Sequence, residues 1–419
     1  MDIVVIGAGM AGLHTAWACA RRGANVTVIE SARGPLQAAS YGSGGYIGPD
    51  GVRPLVRPLS FAERTWLRCS AAKPTMPLRY SVAERSKHPQ FVKRYVDNCT
   101  PERARYCQDA LTALVQYNAR MLDKLVLELD VEDFRTQRVL HLFGPNESLT
   151  KTRREQLQHG NVKWLDHRQC RALEPGFTEH APISGGYHHP LDQTINATYV
   201  ARQIAGVCQQ NGVQFLYGTA VKELIVNDGV VRAVTSEAGL HAADVVVLCH
   251  AGGVTETLTT AGIKLQVPMT PLTSCSVSAD MGEAPLRVRN GLQDESNSVF
   301  ISVLDDRLRA VGSPFIGSLS NKELESEYRR IYTVATTLLG NAAQWNQAKY
   351  WSHTVWAMPD SLPLVGAVPG ARGLYVSAAH GMTGAACTCA AANIIADQIE
   401  GKVPAIDLCG AFACDRFAK

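Results

Sequence analysis

The stretch MDIVVIGAGMAGLHTAWACARRGANVTVIE, residues 1–30, constrains the fold more than any other. A Val/Ile-rich run from Asp2 to Ile6 suits a strand buried on both faces, and Gly7, Gly9 and Gly12 follow it as G-x-G-x-x-G. The first glycine allows a tight turn, the second lets a pyrophosphate approach the backbone, and the third lets the helix lie close to the strand. Leu13, Ala16, Trp17 and Ala20 then share one helical face, and Gly23 is a stop signal. The helix N-terminus offers unpaired N–H groups and partial positive charge to phosphate. A second strand, Asn25 to Ile29, ends at Glu30, whose carboxylate can accept from a ribose diol and would repel a ribose phosphate. The unit predicts a Rossmann-like dinucleotide site and disfavours NADP.

With 419 residues, 46% of them apolar, the chain can build two cores, and a net charge of +3 argues against a nucleic-acid surface. Twelve cysteines lie without a CxxC pair, and no secretory stretch precedes the first strand. The expectation is reduced thiols in a cytoplasmic protein. Cys387 and Cys389 read as small packing residues of an alanine-rich helix rather than metal ligands. No apolar run approaches the ~18 residues needed to cross a bilayer.

Tyr41 to Ser60, with five glycines and three prolines, reads as a mobile loop. Leu111 to Leu129 has helical spacing, as does Asn196 to Gln210, which closes at Gly212. Asn227, Asp228 and Gly229 signal a hairpin. Strand patterns follow at Leu272–Ser278, Ser298–Leu304 and Arg307–Gly312, the last two joined through Asp305 and Asp306 as an antiparallel meander. Ser320 and Glu323 form a capping box for a helix running to about Gly340.

Two later segments return to nucleotide-binding chemistry. Ala243 to Gly253, ADVVVLCHAGG, is a buried strand opening into small residues, and Gly373 to Gly401 reads as a strand, a glycine turn at Gly381–Gly384 and a helix. A simple NAD dehydrogenase has no need of a second helix N-terminus. A flavin does, because its N1 and C2 carbonyl edge gains negative charge on reduction.

The chain resembles the D-amino-acid oxidase superfamily of FAD-dependent oxidoreductases, most closely the bacterial D-amino-acid dehydrogenase family. The likeness runs nearly end to end: the opening GxGxxG with Glu30, SYGSGGYIG from Ser40, GGYHHPLDQT from Gly185, DDRLRAVGS from Asp305, MPDSLPLVG from Met358 and HGMTG from His380. It implies an α/β fold: a discontinuous Rossmann-like FAD-binding domain (1–60, 192–265 and 350–419) and an α+β substrate domain (61–191 and 266–349), whose antiparallel sheet lies over the flavin. By the same likeness Gly7, Gly9, Met10, Ala11 and Gly12 hold the pyrophosphate, Glu30 the ribose, and Arg33 lies near adenine. Ser40, Ser43, Gly44 and Gly45 line the pyrophosphate and flavin edge, with Tyr46 and Ile47 approaching the ring. Val221 meets adenine, Ala251 and Gly252 pass the phosphates, and Gly381, Met382, Thr383 and Gly384 cap the pyrimidine end. No cysteine falls near Trp351, and His14 sits on the first helix, so the FAD is expected to be non-covalent.

An amine held with its α-carbon under N5 can pass a hydride to the ring and leave as an imine. The protein then supplies position, usually through an arginine on the substrate carboxylate. Here the chain departs from the family: in HTVWAMPDSLP, Pro359, Asp360 and Pro363 match, but Val355 stands where the arginine belongs, with Trp356, Met358 and Ser361 at three further family positions. Candidates for a replacement cation are His353, His188 and His189, with Arg53 and Arg57 on the loop. Together with Tyr46, Val355 and Trp356, the three histidines make up the expected substrate pocket. An apolar pocket for an amine without a carboxylate is the other answer. The expectation is an amine or amino-acid oxidoreductase with an altered substrate; the alternatives are a non-catalytic flavoprotein subunit and an NAD-dependent dehydrogenase. The acceptor is oxygen or a membrane quinone. For the latter, Phe61 to Tyr80 mixes Trp66, Leu67 and Leu78 with Arg64, Arg68, Lys73 and Arg79, a pattern able to seat peripherally on the inner face of the membrane.

Overall fold

The computed structural model describes residues 1–49, 51–70, 78–129, 135–145, 162, 164–265, 267–281, 288–304 and 306–417. A six-stranded sheet runs in the order Leu364–Ala367, Leu374–Ala378, Val245–Leu248, Asp2–Ile6, Asn25–Glu30, Gln214–Tyr217. Every neighbouring pair is parallel except the outermost, Leu364–Ala367 with Leu374–Ala378. Its central strands are continuous apolar runs because both faces are covered. Ile3, Val5, Val245 and Val247 pack under the helices Met10–Ala20, Ala197–Gln210 and Gly384–Ile399. Val4, Ile6, Val246 and Leu248 pack against Leu224, Val231 and Val234 of a three-stranded antiparallel sheet.

The alanines of Gly384–Ile399 let it sit close to its neighbours. His14 Nδ1 lies 3.0 Å from Thr388 Oγ1, and the Ala390 N–H donates to Asn118 Oδ1 of the long helix Pro101–Leu129 at 3.1 Å. Cys387 and Cys389 are buried in this contact, and no cluster of metal-ligating side chains occurs among the described residues.

The second large sheet has ten strands and is antiparallel except where Gly291–Asp294 runs parallel to Arg135–Phe143. Lys349–Ala357 pairs along the length of Thr270–Asp280. Cys275, Val277, Ile301, Leu308 and Ala310 form one apolar face, closed by Ile331, Ala335 and Leu338 of the helix Asn321–Leu339, which starts in the Ser320/Glu323 capping box. The hairpin residue Asp305 lies outside the described residues.

One expectation is corrected. The Tyr41–Ser60 segment is pinned along its length: the Gly51 N–H donates to Asp192, Tyr95 to Leu55 O, the Val56 N–H to Ser361 and the Leu59 N–H to Cys99 O, while Val52, Val56 and Leu59 are buried. In the Phe61–Tyr80 segment, Leu67 and Leu78 are buried and Arg79 is tied to Glu327 at 2.6 Å inside the protein. Phe61 and Trp66 are exposed, and Lys73 lies outside the described residues. No described helix is long and apolar enough to cross a membrane.

Candidate active site

The strands Asp2–Ile6 and Leu374–Ala378 are parallel and separated only by Val245–Leu248. Each runs into a glycine turn and a helix, so two helix N-termini open at one edge of the sheet, about 10 Å apart by strand spacing. That edge, at the carboxyl ends of parallel strands, is where open α/β sheets bind ligands. Gly7 has φ +104°, a conformation that favours glycine, and a Cβ on Gly12 would overlap the Gly7 carbonyl. Ser40 reaches back to this turn and accepts the Met10 N–H at 3.2 Å, beside Gly9. Glu30 is held at the mouth by the N–H groups of Ala8 (2.7 Å) and Ala32 (2.8 Å). Exposed Arg33 follows it, and the Thr219 N–H bonds Glu30 O, which brings half-buried Val221 to the same end. Ala251 and Gly252 extend from the middle strand. Gly381, at φ +54°, Met382, Thr383 and Gly384 form the second turn, with Met382 exposed.

The loop that follows carries Ser43, Gly44 and Gly45 across to the ten-stranded sheet, where Tyr46–Ile47 joins as a short strand. A side chain on Gly42 would strike the His353 ring, and one on Gly44 would meet Phe300 and Val311. The sheet face met here is buried yet polar. Ser274, Ser276 and Ser278 alternate along one strand, opposite His353, Trp351 and Lys349 on one side, and Ser302 stands opposite Arg309 on another pair. Ser274 and Ser302 are 0% and 1% exposed, and their hydroxyls, with His353 Nδ1, have no partner among the described residues. Buried polar atoms are normally paired, so orphans gathered on one face suit a ligand with a polar edge. With the two helix N-termini and close-approach glycines, the residues fit FAD.

Burial pushes His353 and His189 down to about 4, so both are neutral near neutral pH. His188 is half-buried beside His189. Val355 packs opposite Leu272 in the apolar cluster, Trp356 turns to the other face against Gly252, and Met358 is buried in the nucleotide-side core. The three therefore do not line one pocket. Ser361, where the family has glycine, adopts φ +64°, and its hydroxyl accepts the Val56 N–H. Asp360 is the buried partner of Arg416. Exposed Arg53 lies near enough to Tyr46 and His189 for its charge to be felt there, whereas Arg57 turns toward Tyr95 and Cys99.

Four residues that sequence reasoning did not single out complete the site. Arg309 donates from Nη1 to Tyr41 O (2.5 Å) and Ser43 O (3.2 Å) and from Nε to Ser278, and no described carboxylate pairs with it. Asp192, fully buried, accepts the Tyr46 hydroxyl at 2.6 Å and the Gly51 N–H at 3.1 Å. His141 stacks on Tyr187 and places Nδ1 2.8 Å from Glu295 Oε1. The signal was within reach. Asp192 and Arg309 fall inside stretches that carry the family likeness, and in RVLHLF the histidine is a lone polar residue inside an apolar run.

Comparison with known proteins fits this geometry. The family DAO, described as FAD dependent oxidoreductase, matches residues 2–398. A D-amino acid dehydrogenase of Rhizorhabdus wittichii is 28% identical over 424 residues, covering 100% of both chains. Among solved structures, glycine oxidase from Geobacillus kaustophilus superposes with a TM-score of 0.69 at 19% identity, covering 99% of this chain and 98% of the other. L-proline dehydrogenase from P. horikoshii gives 0.69 at 17% identity, covering 99% and 97%. Their likeness is one of fold.

Proposed function

Because the chain belongs to the DAO family of FAD dependent oxidoreductases, we propose that it oxidises the C–N bond of an amino acid or related amine to the imine. FAD would sit non-covalently between the six-stranded sheet and the polar face of the ten-stranded one. Bound FAD supplies the two-electron acceptor that takes a hydride from the carbon beside nitrogen. The chain's own residues then have to bind, orient and exclude water. The observation that carries this reading is the face of Ser274, Ser302 and His353, whose polar atoms have no partner among the described residues and which the Gly42–Gly45 loop meets. Cys275, on the strand beside Trp351, projects into the apolar cluster on the opposite face, which supports a dissociable cofactor.

For the substrate carboxylate we assign Arg309, which takes over from the position held by Val355. It is a half-buried guanidinium on the polar face, bound only to neutral oxygens among the described residues, and such a group favours an anionic partner. The naming of relatives as D-amino acid dehydrogenases supports an amino-acid substrate. Turnover then requires an acceptor, oxygen or a quinone.

The test is anaerobic mixing of the FAD-loaded protein with D- and L-amino acids, N-alkyl amino acids, and their esters and amides. Loss of the visible flavin band with free acids, and weaker response to esters, is expected. If no compound bleaches the flavin, the reading fails in favour of a non-catalytic flavoprotein. If the purified protein is colourless and binds NAD instead, the flavin assignment itself is wrong.

A further inference from the structure

Hydride loss from carbon needs the lone pair of a free amine, whereas an amino acid carries an ammonium group near neutral pH. One proton must therefore leave the closed site in each turnover besides the hydride, and the residues assigned so far to cofactor and carboxylate offer it no exit.

A buried chain of polar groups begins at Tyr46 and ends near solvent. The Tyr46 hydroxyl lies 3.4 Å from His141 Nε2, and Nδ1 of the same ring is 2.8 Å from Glu295 Oε1. His141 is 2% exposed; the Glu295 side chain is 18% exposed. Asp192 fixes the starting point, since it receives the Tyr46 hydroxyl at 2.6 Å and stands 3.6 Å from His141 Nε2. The cover is built for closeness. A Cβ on Gly51 would overlap Asp192 and the Tyr46 hydroxyl, and one on Gly48 would crowd the same hydroxyl, so only glycine lets this turn close over the pair. Tyr46 itself is half-buried and lies tilted against Phe300, ring centroids 5.0 Å apart, on the polar face that meets the Gly42–Gly45 loop. His189, 5% exposed, lies edge-on to His141 at 5.9 Å, and neither of its ring nitrogens has a partner among the described residues, which leaves a hydrogen-bonding position open in the same space.

We propose that Tyr46, His141 and Glu295 form a path that carries the substrate's ammonium proton to the edge of the sheet, with Asp192 as the positioning residue. The proposal rests on the amine-oxidation reading. In the transfer the substrate N–H bond breaks and nitrogen keeps its electron pair. The tyrosine oxygen takes that proton as its own, turned away from its hydrogen bond to Asp192, passes to Nε2, and the Nδ1 proton passes to Glu295 and on to water. No electrons change hands, and the path is reset once His141, left with its proton on Nε2, has returned to the Nδ1–H tautomer.

His141 can accept only as the neutral imidazole. The groups facing it are Asp192, Glu295, Tyr46, Tyr187 and His189, with His188 and Arg53 beyond. Burial is the largest single influence and lowers its proton affinity, but the hydrogen bonds and charges of Asp192 and Glu295 outweigh it, so His141 holds its proton to a higher pH than an ordinary histidine. Flavin reduction should accordingly rise with pH through a value above 6.5.

Two readouts on the full chain test this. The first is the NMR titration of the His141 ring, with and without FAD. The second is the pH profile of anaerobic reduction of the holoenzyme by an amino acid. In Glu295→Gln, which removes one of the flanking charges, the ring titration and the rising limb of the profile should move to lower pH together. Tyr46→Phe should slow reduction about 100-fold, in the range of lost proton transfer. His141→Gln should abolish the limb while FAD retention is kept. A limb that stays put in Glu295→Gln while the ring titration shifts overturns the path and leaves amine oxidation standing. If no amine reduces the flavin, the functional reading falls and takes the path with it.

Discussion

The two faces of the ten-stranded sheet come from the same strands and both hold fully buried side chains, yet they are opposites. One side of Thr270–Asp280 presents Cys275, Val277 and Ala279 to the helix Asn321–Leu339; the other presents Ser274 and Ser276, 0% and 1% exposed, beside Ser302, Arg309 and His353. Burial on the first face is driven by removal of apolar surface from water. On the second it strands hydroxyls and an imidazole, which costs free energy unless something polar arrives. Dryness thus marks a core in one place and a reserved binding surface in the other, and the test is whether the buried polar atoms have partners.

That contrast can be pressed by substitution. Arg309→Leu should weaken binding of a carboxylate substrate by about 3 to 5 kcal/mol, or two to three and a half decades in the apparent dissociation constant from reductive titration, and leave the corresponding ester nearly unaffected. Equal losses for acid and ester would return Arg309 to a purely loop-holding role. On the apolar face, Leu308→Ala, at a fully buried position, should cost about 2 to 5 kcal/mol in urea unfolding with FAD affinity unchanged.

A pH comparison comes next. Unfolded His189 takes up a proton near its ordinary pKa of 6.5, but the folded ring, desolvated, waits until about 4. Its contribution to stability is complete above 6.5 and is lost as the pH falls toward 4. Acidifying from about pH 6.5 to about pH 5 should therefore cost the native protein about 2 kcal/mol more than it costs His189→Gln. His141, 5.9 Å away, has the reverse sign: its pKa is raised, so its contribution is present below 6.5 and is lost as the pH rises through the folded value. The smallest effect belongs to Ser302→Ala, which removes an orphaned hydroxyl and should stabilise the cofactor-free protein by about 1 kcal/mol while loosening FAD. Destabilisation of the FAD-free form would mean that the hydroxyl is already satisfied.

Much of the nucleotide end is legible in the chain because its chemistry is local. Three glycines at fixed spacing, a strand before them and an acid after them specify the turn, and the observed strands Asp2–Ile6 and Asn25–Glu30 fall where the pattern puts them. The Ser320/Glu323 capping box and the Asp228–Gly229 hairpin are local in the same sense. The polar face is not. The alternation in LTSCSVSAD separates serines from apolar residues, but strand period says only that two faces differ, never whether water or a ligand covers the polar one. Tyr46, His141, Asp192 and Glu295 come from four separated segments, and only the pairing of their strands brings them together. Trp356 shows the converse error: neighbours along a strand look like one pocket, although successive side chains point to opposite sides.

Neighbouring strands Asp2–Ile6, Val245–Leu248 and Leu374–Ala378 are each more than a hundred residues apart along the chain. The turn after Asp2–Ile6 is made long before Leu374–Ala378, and its dinucleotide cradle stays half-made until that strand is in place. Such long-range closure slows folding. Loading with cofactor is thus a late event, and truncated products released by a stalled ribosome would come off without it.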